Sequence, residues 1–187
     1  TLLQTLVLAL ARAHAPDALH ITVLDFGSRS LKVLEALPHV GDVLTEDDDE
    51  RLMRLFRTLK QEIAQRKTTL DGRKFADFRQ LAGTDALPAL LLVIDNYPAF
   101  ARMEHDETLA TLIRDGGPLG IHIVLSANKP LDVRSRVSGN IPAALCLQLT
   151  DRSDYAGVVG RTGGLEPAPT PGRGLMKDAG GPLEFQT

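Results

Sequence analysis

Leu90-Leu91-Leu92-Val93-Ile94-Asp95-Asn96 is the stretch that decides the fold, because an unbroken apolar run ends there in a carboxylate. A continuous apolar run of this length is typical of a strand that is buried on both faces of a parallel sheet. In open α/β sheets the ligands bind at the carboxyl ends of the strands. Asp95 is therefore expected to lie at the ligand-binding edge of an α/β domain.

A second apolar run, Gly120-Ile121-His122-Ile123-Val124-Leu125-Ser126-Ala127-Asn128, also ends in small and polar residues. Two such strands, joined by a helical segment, predict one nucleotide-type site at their ends. In nucleotide hydrolases an aspartate in this position, the Walker B residue, holds the Mg²⁺ that is bound to the phosphates. Asp95 is predicted for that role, although no G-x-x-x-x-G-K-[ST] phosphate loop occurs in the 187 residues.

The composition is that of a soluble globular domain, with 43% hydrophobic and 24% charged residues. The formal net charge of −3 excludes a global basic field that would attract nucleic acid. Cys146 is the single cysteine, so no disulfide framework can form, which fits a reducing cytosol. No apolar segment approaches the roughly 20 residues that a membrane-spanning helix needs.

Strand-like and helix-like segments alternate along the chain, which predicts a parallel sheet with right-handed crossovers. Thr45 is predicted to be the N-cap of the clearest helix, whose first turns carry the acidic run 46–50. We interpret this run as a solvated helix start and not as a metal site, because its side chains point around the helix. Strands are predicted at 20–25, 40–44, 90–95, 121–126, 143–149 and 183–186, helices at 1–14, 31–37, 45–67 and 107–114, a polar excursion with a short helix at 68–87, and loops at 163–174.

Other polar residues also lie on or beside predicted strands. Asp25 ends a strand, and the sequence leaves two roles open for it, one lining the site and one purely structural. His122 lies within an apolar strand and is predicted to be a core histidine with satisfied hydrogen bonds. His39 precedes a Val-Gly turn and is predicted to be structural.

The segments 92–96, 120–130 and 139–142 together resemble the ATPase domains of the FtsK/SpoIIIE family. The segments 37–41, 151–155 with 160–161, and 171–175 leading to 185–186 narrow this resemblance to the tandem ATPase modules of type VII secretion motors, the EccC/EssC group. It covers nearly the whole chain. The resemblance implies a RecA-like P-loop NTPase core, which is an α/β fold with a mostly parallel sheet flanked by helices. It also implies that residues 1–187 form a single domain that begins just after the expected Walker A motif.

The same resemblance implies ATP and Mg²⁺ as ligands and assigns four residues to their site. Asp95 would coordinate Mg²⁺, and Thr1 would follow the missing lysine of the phosphate loop. Asn96 stands where active relatives commonly carry the glutamate that orients the attacking water, and an amide cannot accept a proton from that water. Asn128 would act as a sensor of the γ-phosphate or of the attacking water. Nucleotide binding is expected to survive the change at position 96 better than hydrolysis.

Three functions follow from the resemblance. The first is an ATPase motor module that works with neighbouring modules or subunits, in a hexameric or tandem assembly, to move exported protein. The second is a catalytically silent module that binds nucleotide and recruits a partner such as the signal peptide of a substrate. The third, an alternative, is a translocase domain that binds double-stranded DNA. Arg134, Arg136 and Arg161 are candidates for reaching a neighbouring subunit, and the domain is expected to be cytoplasmic and tethered to the membrane in its parent protein.

Overall fold

A parallel sheet forms the centre of the computed structural model, which describes residues 2–81, 87–103, 105–178 and 180–187. Its strands are β1 (Leu19–Asp25), β2 (Val40–Leu44), β3 (Ala89–Asp95) and β4 (Ile121–Leu125). They lie in the order β2-β1-β3-β4, and each neighbouring pair is parallel. The predicted parallel α/β sheet is thereby confirmed, with β3 between β1 and β4.

Helices pack on both faces of this sheet. Within the described residues the α-helices are α1 (Leu2–Ala13), α2 (Asp49–Arg73), α3 (Tyr97–Phe100), α4 (Asp106–Gly116), α5 (Ser135–Ser138) and α6 (Arg152–Val159). Successive side chains of a strand point to opposite faces, so Leu91 and Val93 of β3 pack with α1, whereas Leu92 and Ile94 pack with α2 and α4. This burial on two sides is the physical reason for the unbroken apolar run.

In the part of the chain that the structure describes, no helix combines the length and the apolar character that crossing a bilayer requires.

A second, antiparallel sheet follows the first along the chain and was not predicted. It consists of β5 (Leu145–Leu147), β6 (Arg173–Asp178) and β7 (Gly181–Gln186), and α6 covers one of its faces. The Gly- and Pro-rich composition of residues 163–174 predicts loops there, including residue 174. Gly174 instead lies within β6, where an added Cβ would meet the backbone carbonyl oxygen of Cys146 at 2.5 Å and the Phe185 ring at 2.6 Å. The glycine therefore makes room for the backbone of β5 on one side and for an aromatic ring of β7 on the other.

The prediction that Thr45 caps α2 was wrong, because the helix begins four residues later. The carboxylate of Asp48 accepts hydrogen bonds from the backbone N–H of Thr45 at 2.8 Å and from its hydroxyl at 3.0 Å, which closes a turn in front of the helix. The helix also continues to Arg73, beyond the predicted end at 67. Leu70, which is buried, extends the apolar stripe into the segment predicted as a polar excursion. Residues 82–86 of that predicted excursion lie outside the described residues.

The two histidines predicted to be structural have different environments. His39 is buried, and its Nε2 lies 2.8 Å from the carbonyl oxygen of His14, which confirms a structural role. His122 is exposed, so its prediction as a core histidine was wrong. The reason is that β4 is an edge strand of the parallel sheet within the described residues, and the side chains of an edge strand need not be covered.

Arg66 is a buried cation that joins α2 to the starts of β3 and β4. Its guanidinium donates to the carbonyl oxygen of Leu119 at 2.9 Å, to that of Pro88 at 2.8 Å and to the carboxylate of Glu62 at 3.0 Å. It also lies over the ring of Phe78, 5.3 Å from the centroid. A planar group with five donors can satisfy several carbonyl oxygens that would otherwise be buried without partners.

Replacing Arg66 with Met should therefore destabilise the protein strongly. The Met stem keeps much of the packing, but the carbonyl oxygens of Pro88 and Leu119 lose their partners, which should lower the free energy of unfolding by about 3 kcal/mol. Arg57→Met, on the exposed side of the same helix, is the matched control and should change it by less than about 0.5 kcal/mol. Urea denaturation measures both, and equal unfolding free energies for the two variants would contradict the assigned role.

Candidate functional site

The ends of β1, β3 and β4 meet at one edge of the parallel sheet. Asp25 and Asp95, the last residues of β1 and β3, are direct register partners. On the other side of β3, Leu125 pairs with Ile94, and the backbone N–H of Ser126 continues the ladder to the carbonyl oxygen of Ile94 at 2.9 Å. The loops that follow three strands are therefore neighbours, as expected for the ligand-binding edge of an α/β sheet.

Asp95 is half-buried, and a neighbouring side chain orients its carboxylate. The hydroxyl of Ser126 donates to Asp95 Oδ1 at 2.6 Å, and the same hydroxyl oxygen accepts the backbone N–H of Asn96 at 2.9 Å. Ser126 therefore fixes the carboxylate relative to the chain that follows it. Sequence reasoning did not single out Ser126, although the polar residue at the end of the adjacent strand was the available signal.

The side chain of Asn96, the residue that follows Asp95, is already engaged in a hydrogen bond within the chain. It adopts the left-handed region with φ 59° and ψ 62°, which asparagine tolerates better than most residues. Its Nδ2 donates to the carbonyl oxygen of Phe26 at 2.9 Å. The amide thus ties the end of β3 to the loop after β1, a role that needs a hydrogen-bond donor and that a glutamate carboxylate cannot fill.

Asp25 has a structural role, which resolves the choice left open by the sequence. Its side chain is buried, and its two oxygens accept the backbone N–H groups of Arg29 at 3.1 Å and Leu31 at 2.8 Å. Arg29 has a φ of 57°, so these bonds hold a loop with a left-handed residue in shape. The carboxylate shapes the loop that borders Asp95.

Asn128, the third predicted site residue, is less closely connected to Asp95. Asn128 is exposed on the segment that follows β4 at the same edge of the sheet, and within the described residues no hydrogen bond links it to Asp95. The next anchor in that segment is the Asp132 carboxylate, which accepts the backbone N–H of Lys129 at 3.0 Å. Thr1, the fourth predicted site residue, lies outside the described residues.

A polar cluster around the buried Tyr97 and Asp106 joins the segments that follow β3 and β4. The Tyr97 hydroxyl donates to Asp106 Oδ1 at 2.9 Å, and Arg134 donates to the other oxygen of the same carboxylate. Burial, together with the bond to Asp106, raises the pKa of Tyr97 to about 12. All three predicted intersubunit arginines, Arg134, Arg136 and Arg161, are exposed, and Arg134 is the one that pairs with Asp106.

The site suits a metal ion whose ligands are mostly phosphate oxygens and water molecules and not protein side chains. Among the described residues there is no group of three His, Cys, Asp or Glu side chains that could hold a metal ion. Mg²⁺ is usually bound by one or two carboxylates together with phosphate oxygens and water, and not by a cage of protein ligands. A single oriented carboxylate at an accessible sheet edge fits that requirement.

Replacing Ser126 with Ala should measure how much this hydroxyl contributes. The variant leaves Asp95 Oδ1 without its donor and the Asn96 N–H without its acceptor, so the free energy of unfolding should fall by about 1–2 kcal/mol. Ser28→Ala, at an exposed serine of the loop after β1, is the control and should have little effect. If the two variants unfold at the same denaturant concentration, Ser126 does not orient Asp95 in the way described.

Solved structures of known proteins match this fold closely. EssC (ATPases 2 and 3) from Geobacillus thermodenitrificans superimposes with a TM-score of 0.90 at 27% identity, over 97% of this chain and 36% of that one. Thermomonospora curvata EccC (ATPases 2 and 3), in complex with a signal sequence peptide, gives a TM-score of 0.82 at 29% identity, over 100% of this chain and 35% of that one. These similarities confirm the predicted P-loop ATPase core.

Curated proteins with similar sequences are named as components of the same kind of secretion system. The ESX secretion system protein EccC of Geobacillus thermodenitrificans is 29% identical over 95% of this chain and 12% of its own length. The type VII secretion system protein EssC of Staphylococcus aureus (strain MRSA252) is 27% identical over 86% of this chain and 11% of its own length. The chain thus spans about a tenth of the length of the relatives it matches.

The chain matches one protein family over most of its length. The sequence profile of the FtsK/SpoIIIE family matches residues 1–175, which is most of the chain. The predicted resemblance is therefore confirmed: the chain belongs to the FtsK/SpoIIIE family, as an ATPase domain similar to those of the EssC/EccC proteins.

Proposed function

We propose that this chain is the nucleotide-binding module of a type VII secretion motor, in which Asp95 holds the Mg²⁺ of a bound ATP. The observation that carries the proposal is the Asp95 carboxylate itself, which lies at the end of an interior parallel strand and is oriented by Ser126. Similarity to ATPase domains of EssC and EccC supports it. In this proposal Thr1, in front of α1, and Asn128, after β4, contribute to nucleotide contacts, and residues 1–187 act as one domain.

The roles of the side chains follow from their chemistry. Bound Mg²⁺ neutralises charge on the phosphate oxygens. The negative charge of Asp95 attracts the ion and its water, and Ser126 restricts the directions in which the carboxylate oxygens point. Asn128 is exposed at the same edge, where its amide offers donors to a phosphate oxygen or to a water molecule.

Slow hydrolysis is part of the proposal. The position after Asp95 is an amide that cannot take a proton from water, and its Nδ2 is occupied by Phe26. Nucleotide binding without rapid turnover is the expected behaviour of such a module. In a motor, such a module would hold its neighbouring modules in an arrangement that depends on the bound nucleotide.

The partners proposed for the module follow from its relatives. One structural neighbour is described as a complex with a signal sequence peptide, so an exported protein or its signal peptide is the proposed cargo. Neighbouring ATPase modules, in tandem or as separate subunits, are the second class of partner. We also propose that the module faces the cytoplasm and that its parent protein is held at the membrane. The net charge of −3 disfavours double-stranded DNA as the cargo.

Replacing Asp95 with Ala in the parent protein should weaken Mg²⁺-dependent ATP binding at this module. Loss of the carboxylate should reduce affinity by at least about tenfold, while affinity measured without Mg²⁺ should change little. The matched control is Asp17→Ala, which removes an exposed carboxylate from the loop between α1 and β1. Titration with a fluorescent ATP analogue, with and without Mg²⁺, measures the effect. An Asp95→Ala variant that binds Mg·ATP as tightly as Asp17→Ala does would refute the assignment.

Replacing Asn96 with Glu should not create an efficient ATPase. The carboxylate cannot donate to the carbonyl oxygen of Phe26, and it would occupy a left-handed position that suits asparagine, so the variant should be less stable by about 1–3 kcal/mol. Asn96→Gly keeps the backbone conformation and loses only the side-chain bond, which makes it the control. Phosphate release by the parent protein measures turnover. A gain of tenfold or more in turnover by Asn96→Glu, with unchanged stability, would show that the hydrogen bond from Asn96 to the Phe26 carbonyl oxygen is unimportant.

A further inference from the structure

Gly27 is the point at which the loop after β1, residues 26–30, meets the Asp95 carboxylate. An added Cβ at Gly27 would lie 2.2 Å from Asp95 Oδ2 and 3.2 Å from its Cγ. Contacts of real Cβ atoms below 3.0 Å essentially never occur. The backbone of Gly27 therefore occupies the space beside one carboxylate oxygen, while Ser126 donates to the other.

Position 27 requires glycine because there is no space for a side chain, and not because of its backbone conformation. The described residues with a positive φ include several glycines, but Gly27 is not among them. Its backbone conformation is accessible to alanine, so only the contact with Asp95 opposes a side chain. This separates Gly27 from the glycines of turns, whose substitution is strained whatever the surroundings.

The loop after β1 is held where it is from two sides. The Asp25 carboxylate binds the N–H groups of Arg29 and Leu31 at the far end of the loop. Asn96 binds the Phe26 carbonyl oxygen at the near end. Because both ends are fixed, the loop cannot retreat at low cost if a methyl group is added at Gly27, and the carboxylate has to move instead.

We propose that Gly27 is a positioning residue for the proposed metal-binding carboxylate. Its backbone forms a wall against Asp95 Oδ2 and, together with the Ser126 hydroxyl on Oδ1, confines the carboxylate to one orientation. The inference rests on the proposed function only in treating Asp95 as the residue that faces Mg·ATP. In this arrangement the tethers at Asp25 and Asn96 serve the site through the loop that they hold.

A thermodynamic cycle tests the contact without nucleotide. Gly27→Ala should raise the equilibrium constant for unfolding of this chain by roughly tenfold or more, since the carboxylate that must move is held by the Ser126 hydroxyl. In an Asp95→Ala background the same substitution should raise it by less than about threefold, because the clashing carboxylate is gone. Gly41→Ala is the matched control: Gly41 is also exposed, has no positive φ, and has nothing within 4 Å of an added Cβ.

The outcomes of this cycle decide the proposal. Recovery of stability in the double variant supports it, and this includes the case in which Gly27→Ala alone does not fold and the double variant does. An effect of Gly27→Ala equal to that of Gly41→Ala, or one that persists in the Asp95→Ala background, overturns it.

A second measurement separates positioning from a purely structural contact. In the parent protein Gly27→Ala should lower Mg²⁺-dependent ATP affinity by about tenfold to a hundredfold, with Gly41→Ala unchanged. Unchanged affinity with a clear coupling in the cycle would leave the contact in place but overturn its positioning role. If the unsubstituted parent protein binds no nucleotide at this module, the proposed function fails instead, and the cycle still reports on the contact.

Discussion

The parallel register that places Asp25 opposite Asp95 is the constraint on which the site depends. It brings the carboxyl ends of β1, β3 and β4 to one edge, so the loop after β1 and Ser126 reach Asp95 from its two sides. A slip of one residue in β3 would turn Asp95 toward the opposite face and exchange the two apolar sets that pack with α1 and α2. Such a slip would bury the wrong side chains on both faces, so the core and the site are specified by the same pairing.

Much of this arrangement could be predicted from the sequence. The run 90–94 is apolar at every position because both faces of β3 are covered, and that pattern predicts an interior parallel strand. The position of Asp95 at its end follows directly. The same type of pattern led to the wrong prediction that His122 is buried, because β4 is apolar like β3 but lies at an edge of the sheet in the described structure. Periodicity reports which residues are apolar and does not report what lies beside them.

The contacts that shape the site could not be predicted in this way. Ser126 acts on Asp95 across 31 positions of sequence, and Gly27 is separated from Asp95 by a long helix and a strand. Asn96 illustrates best how the sequence-based prediction differs from the contacts in the structure. Comparison with active relatives predicts a lost base, whereas the structure shows an amide that donates to Phe26 from a left-handed backbone. Gly174 in β6 is a similar case, since a glycine typical of a loop leaves room for the Cys146 carbonyl oxygen and for Phe185 on the two neighbouring strands.

The most direct test is a structure of the parent protein with Mg²⁺ and a non-hydrolysable ATP analogue. The distance from the metal ion to the nearest carboxylate oxygen of Asp95 is the quantity to measure. If Asp95 faces the bound nucleotide, the ion should lie within about 5 Å of that oxygen, close enough for direct or water-mediated coordination. A nucleotide bound elsewhere on this module, with Asp95 remote from its metal ion, would contradict the central claim.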